Sequence, residues 1–194
     1  MTRPALLAAL LSPLVVPLMA APLLADCLPA GTAPSKVTFD SGAVIEVLGH
    51  EGDTIRYRQT VVESGKEVEM TVHAGVFTVS ALRDGEGAVF EWKDALPTLA
   101  EMTPGASFHA EAILTTPGFL PPRPFTTDLE IIGTEEITVA GCKMQVLKMV
   151  VKNNEAGKDL GEITKWLDPS TLITLRSEVR EGDKMRAQEV VAIE

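Results

Sequence analysis

The chain is predicted to be mainly β, a single antiparallel sheet domain. Three observations predict this. Polar and apolar residues alternate with period 2 in segment after segment; at 67–73, Val68, Met70 and Val72 interleave with Glu67, Glu69, Thr71 and His73. Short polar or glycine-bearing turns separate these segments at close spacing, among them Glu63–Lys66, Asp84–Gly87 and Glu181–Asp183. Only one stretch, 94–102, carries apolar residues at helical spacing: Leu96, Leu99 and Met102.

Residues 1–25 precede that domain and read as a signal peptide. Arg3 supplies a basic start, a Leu/Ala/Val-rich run follows, and the small residue Ala25 marks the expected cut. Three prolines (Pro13, Pro17, Pro22) interrupt the run, and no basic cluster follows it as a stop-transfer flank. A retained membrane anchor is the competing reading, since residues 5–25 are long enough to span a bilayer. Cys27 invites a lipoprotein reading. Asp26 argues against it, because lipidation wants a small residue immediately before the cysteine.

Residues 26–194 then form one exported domain of 169 residues, long enough to bury a real core. It holds 16 Lys plus Arg against 27 Asp plus Glu, a net charge of −11. An acidic domain repels phosphate backbones, so nucleic acid is not expected as a partner. The two cysteines, Cys27 and Cys142, allow one intramolecular pairing, and an exported chain favours a structural disulfide. No Cys-x-x-Cys pair suggests redox work, and no nearby histidines suggest a metal.

In order, strands are expected at 37–39, 43–48, 54–62, 67–73, 76–82 and 88–92. At 54–62, Ile55, Tyr57 and Val61 share a face against Arg56, Arg58 and Thr60. A short helix is expected over 94–102, with Pro97 tolerated in its first turn and Thr103-Pro104-Gly105 ending it. Residues 106–115 resume as a strand. Residues 116–127 (TPGFLPPRPFTT) are expected as a loop, because its prolines cannot donate to a ladder. Its Phe119 and Phe125 would form a lid, a docking tip, or a cover over a sheet edge. The following stretch, 129–151, contains strands at 129–133 and 137–139 flanking the acidic pair Glu135-Glu136, then a strand at 143–151 after the Ala140-Gly141 turn. Its second part is apolar on both faces: Met144, Val146 and Val150 on one, Leu147, Met149 and Val151 on the other. Such a strand is buried on both sides, or has a ligand or helix covering one of them. Strands at 161–168, 172–179 and 184–193 close the chain, with Trp166 out of phase with Ile163 and Leu167.

Several short motifs carry a resemblance. They are the Leu-Pro segment ending in Pro-Gly (96–105), Ile-Gly-Thr-Glu followed by Ile-Thr-Val (132–139), Ala-Gly before a Val/Leu-rich strand (140–151), and Trp-Leu-Asp-Pro followed by Leu-x-x-Arg-Ser-Glu (166–178). In these the last hundred residues or so resemble a group of exported bacterial domains of unknown function, similar to the lipoprotein-localisation-factor fold. The resemblance implies a strongly curved antiparallel sheet, an open half-barrel, and a periplasmic address. The group commonly has an aromatic residue where this chain has Cys142, and a cysteine there fits a disulfide to Cys27. The resemblance carries over no catalytic residues.

No Gly-x-Ser-x-Gly elbow, His-Glu-x-x-His helix, Walker loop or Gly-x-Gly-x-x-Gly is present in the sequence. His50, His73 and His109 are scattered; His109 with Glu111, or Glu69 with His73, would make ligand pairs only if strands converged. Glu135 and Glu136 should point to opposite faces of a strand, and Glu51 and Asp53 sit on a turn. The expectation is therefore a non-enzymatic periplasmic binding domain without a cofactor. Its concave apolar face would meet a lipidic ligand or an apolar segment of an envelope protein, with Tyr57, Trp92, Phe119, Phe125 and Trp166 as candidate lining. A structural or interaction module of the envelope without a cavity is the alternative, and a hydrolase with an unrecognised site is the third reading.

Overall fold

A computed structural model describes residue 27 and residues 32–62, 64–118, 120–181 and 184–194. The expected signal peptide and Phe119 lie outside the described residues. Twelve strands follow one another: β1 (Lys36–Phe39), β2 (Val44–Glu51), β3 (Thr54–Val61), β4 (Lys66–His73), β5 (Phe77–Arg83), β6 (Glu86–Trp92), β7 (Ser107–Thr116), β8 (Leu120–Val139), β9 (Cys142–Glu155), β10 (Lys158–Asp168), β11 (Ile173–Glu181) and β12 (Lys184–Ile193). Each pairs antiparallel with its neighbours in sequence. The sheet then closes on itself, because β1 pairs with both β2 and β12.

The expected open half-barrel is thus a closed up-and-down barrel. The short segment at 37–39 makes the difference. Val37 pairs with Ile45 on one side and Ile193 on the other. The last residue locks the seam: Ser35 and Lys36 N–H donate to the Glu194 carbonyl at 2.7 and 3.1 Å, and Glu194 N–H donates to the Lys36 carbonyl at 2.9 Å. Closure pairs β1 on both sides, so neither the first nor the last strand is left as a free edge of the sheet.

Alternation sorts the side chains. Phe39, Ile45, Ile55 and Val72 on β1–β4 are buried, as are Leu129, Ile131, Met149, Val151 and Leu167 on β8–β10. Ion pairs decorate the outside: Arg58 with Glu46, Glu67 and Glu69, and Lys152 with Glu162. A charged outer wall is the reverse of the apolar band that a membrane barrel turns to lipid. Among the described residues no helix is long and apolar enough to cross a membrane.

Three expectations are corrected. The helix over 94–102 shrinks to a 3₁₀ turn, Leu99–Glu101. Proline disfavours helix at the residue before it, so Pro97 and Pro104 leave only a turn between them. The proline loop 116–127 is mostly strand, since β8 starts at Leu120. Residues 120–124 pair only with β7; pairing with β9 begins at Phe125↔Glu155, so Pro121, Pro122 and Pro124 sit where one side needs no donor. Finally, β8 runs unbroken from 120 to 139 with an irregularity between Ile131 and Gly133, and on its β7 side Ile131 N–H donates to the Ala106 carbonyl while its own carbonyl accepts from Gly105 N–H.

That last contact docks the β6–β7 connection over one end of the barrel. Leu99 N–H donates to Asp53 Oδ2 at 2.9 Å, His73 Nε2 lies 3.0 Å from the Pro97 carbonyl, and Met102 is buried. Leu96 and Leu99 pack on the core beneath. The two-faced strand is explained at the same end. On β9, Leu147, Met149 and Val151 are buried on one face, and Cys142 and Val146 on the other. Val146 belongs to one cluster with Val139, Trp166, Leu175 and Val37, and β8 touches β12 although the two are not neighbours in the barrel. The protein's own side chains cover Val146 on this second face.

The expected disulfide is present: Cys27 joins Cys142 with Cα atoms 5.6 Å apart, closing a separation of 115 residues. Replacing both cysteines by serine should cost about 3–5 kcal/mol on the chain-entropy account, read as a lower urea midpoint. Gly75 should be more sensitive than any surface glycine. Its φ is +69°, and a Cβ there would lie 2.3 Å from Leu167 Cδ1 and 2.9 Å from the Leu172 carbonyl oxygen. Gly75→Ala is expected to lose about 2–4 kcal/mol by the same measurement, from overpacking and backbone strain together.

Candidate functional site

Eight strands close a barrel that side chains fill; more strands enclose more space than their own side chains occupy. Twelve strands surround this lumen, and its filling is uneven. One flank is packed by aromatics. Phe77 and Trp92 meet edge to face at 5.5 Å, Phe90 and Phe125 at 4.9 Å, and Trp92 Nε1 donates to the Thr78 carbonyl at 3.0 Å. The opposite flank keeps a cavity of about 250 Å³. Phe39, Ile45, Met70, Val72 and Leu172 supply its apolar wall, while Tyr57, Lys165, Ser177 and Gln188 supply its polar groups.

Lys165 comes to the lumen by strand register. On β10 it lies in phase with Ile163 and Leu167, and its cross-strand partners are Met149 on β9 and Ser177 on β11. Ser177 in turn pairs with Gln188 on β12, which lines the same cavity. Among the described residues, the Lys165 side chain has neither an ion pair nor a hydrogen bond. The contrast with other cations is clear. Arg123, on the inward phase of β8, pairs with Glu155, and Lys148 on the outer wall pairs with Glu135 at 3.3 Å.

Burial shifts both titratable groups of the cavity toward their neutral forms. Burial pulls the Lys165 ammonium down to about 8. Burial pushes the Tyr57 phenol up to about 12. The desolvated charge is the costly state in each case, so one is driven to lose its proton and the other to keep it. Lys165 is half-buried, so water still reaches the amine and tempers this cost.

The five aromatic candidates divide. Tyr57 lines the cavity. Trp92 and Phe125 are 6.3 Å apart within the packed aromatic flank. Phe119 lies outside the described residues. Trp166 is held in the barrel wall between Lys148 and Arg176, 5.0 and 4.7 Å from its ring centre, and its Nε1 donates to Glu135 Oε2 at 3.1 Å. That hydrogen bond, with Lys148 beside it, holds the Glu135 carboxyl below its usual value. Lys165 was missed in the sequence. The available signal was a charged residue in phase with Ile163 and Leu167, on the face that alternation assigns to the core.

The histidines have separate structural partners. His50 Nε2 lies 2.8 Å from the Thr171 carbonyl, His73 holds Pro97, and His109 Nδ1 meets Asp128 at 2.7 Å with Glu111 nearby. The Asp128 hydrogen bond raises the His109 pKa on an open surface. Among the described residues no three His, Cys, Asp or Glu side chains gather as a metal site requires. Glu135 meets Trp166 and Lys148 while Glu136 meets Lys143, the divergence expected of adjacent strand residues.

A second hollow, of about 410 Å³, lies beside the disulfide, among Cys27, Pro34, Met144 and the β10–β11 turn. In that turn Asp168 is buried and accepts hydrogen bonds from Ser170 and Thr171, which makes it architectural. Residues 28–31, between two parts of this hollow's wall, lie outside the described residues. The lumen is therefore the better defined site.

No family model and no curated protein matches the chain. Among solved structures it is similar to the hypothetical lipoprotein YmcC from Escherichia coli (K12). That likeness has a TM-score of 0.49 and 11% identity, and covers 87% of this chain and 92% of that one.

Lys165 yields a stability prediction with a definite sign. Its folded pKa of about 8 is below the unfolded value of about 10.4, so the unfolded chain binds more protons between them and stability rises with pH across that window. Lys165→Met should therefore stabilise the barrel by roughly 1–2 kcal/mol at about pH 7, after allowance for water reaching the amine. The advantage should shrink by about half or more by about pH 9.5 in urea unfolding curves of the two proteins.

Proposed function

We propose that this protein is a non-enzymatic binding domain of the periplasm, whose barrel lumen takes a small, largely apolar ligand. The observation that carries this reading is the cavity itself. It has an apolar wall and a few converging polar groups, the composition that ligand sites share. The disulfide supports export to an oxidising compartment. The reading is narrower than a lipid-binding concave sheet. A cavity of about 250 Å³ is smaller than the ~300–1,000 Å³ of pockets that hold drug-sized molecules, so a whole diacyl lipid is too large for it.

Native mass spectrometry of the purified protein, with a thermal-shift series of straight-chain amphiphiles, tests the reading. Binding should raise the melting temperature of the native chain. Ser177→Leu, which fills the cavity from β11, should remove that shift while leaving the fold intact. A shift of equal size in both proteins would place the ligand elsewhere and sink the proposal.

A further inference from the structure

The proposed ligand site contains a group that an apolar ligand alone does not need. Lys165 brings an amine into the lumen, and among the described residues nothing answers its charge. This chain has 27 acidic residues to offer. Another lumen-phase cation, Arg123, has Glu155, and the outer-wall cations Arg58, Lys148 and Arg176 have carboxylates within 4 Å. A methionine at 165 would pack among Met149, Ile163 and Leu172 without the desolvation that an amine suffers there. The missing partner is supplied most simply by what enters the cavity.

We propose that the lumen binds a single-chain aliphatic carboxylic acid of medium length, its carboxylate on Lys165 and its tail along the wall formed by Phe39, Ile45, Met70 and Val72. This rests on the lumen being a ligand site and specifies which chemistry it recognises. One cation matches one negative charge. A carboxylate has a second oxygen to satisfy, and the Tyr57 hydroxyl lines the same cavity with no partner among the described residues. Burial keeps that phenol protonated, so it is a donor at any pH the periplasm meets. Charge-assisted hydrogen bonds in a low-dielectric site are the strong ones. The net charge of the chain, −10, disfavours a polyanion on approach.

The carboxylate also completes the acid–base logic of the site. A carboxylate beside Lys165 stabilises the ammonium that burial opposes. The bound complex therefore holds a proton that the free protein begins to release near pH 8. Affinity for the acid should be flat below that pH and fall above it, up to about tenfold per pH unit.

The experiment compares decanoate with decanol, which share a tail and differ in the head group, by calorimetry at neutral pH and again in alkaline buffer. Native protein should bind the acid at least about tenfold more tightly than the alcohol, and lose the preference as pH rises past about 8. Lys165→Met should bind both equally, with Lys165→Gln as a polar, uncharged check on the same point. Equal binding of acid and alcohol by the native protein overturns this inference and leaves the lumen as a binding site. An acid preference that survives in both Lys165 variants overturns it as well, because the head group then lies elsewhere. Binding of neither ligand overturns it together with the functional reading beneath it.

Discussion

Four residues hold this barrel shut. β1 is the sequence Lys-Val-Thr-Phe, and without its hydrogen bonds to β2 and β12 the sheet would be an open, curved wall with two edges. The seam is short, so it is reinforced from both ends of the chain. Ser35 and Lys36 clasp the backbone of Glu194, the Lys36 and Glu194 side chains meet at 3.2 Å, and the disulfide anchors the approach to β1 at the start of β9. Cross-linking works here on the segment with the fewest contacts of its own.

Closure turns a question of surface into one of volume. A curved open sheet has a concave face that solvent can wet. A closed ring of twelve strands has an inside that must be filled or left as a cavity. The chain fills it in three ways: with the aromatic group Phe77, Phe90, Trp92 and Phe125, with the β6–β7 connection pressed over one end, and with the inward side chains of β8 to β10. What remains lies between β3 and β10. There the wall changes character, from a core that excludes water to one that admits an amine and a phenol.

Those two groups show how the same physics serves stability and recognition in opposite senses. Burial without a partner makes Lys165 a cost to the fold, while Trp166, one residue on, shows the arrangement that removes such costs. Its ring lies between two cations, and its N–H meets a carboxylate that one of those cations also contacts. Adjacent residues on one strand face opposite sides of the wall, and among the described residues only Trp166 has its electrostatics completed by the protein itself.

The strand class, the turns and the disulfide were legible in the residues. Alternation at 67–73 and 54–62 is a local property, and two cysteines allow a single internal pair. In the doubly apolar run at 143–151, Leu147, Met149 and Val151 are buried on one face, while on the other Val146 is buried and Met144 and Val150 are half-buried. Closure was not legible, because the pairing of Val37 with Ile193 joins opposite ends of the chain and leaves no local pattern. The prolines of 116–127 misled for a related reason: a proline's cost depends on whether a strand lies on its N–H side, and pairing alone decides that. Lys165 stood in plain phase with Ile163 and Leu167. Only the ring of strands made that phase an interior, and only the packing around it showed that none of the described carboxylates was near. The sequence by itself determined what each strand could bury, since burial follows from side-chain alternation. The tertiary structure decided what the strands enclose, since an enclosed volume is a property of the whole ring.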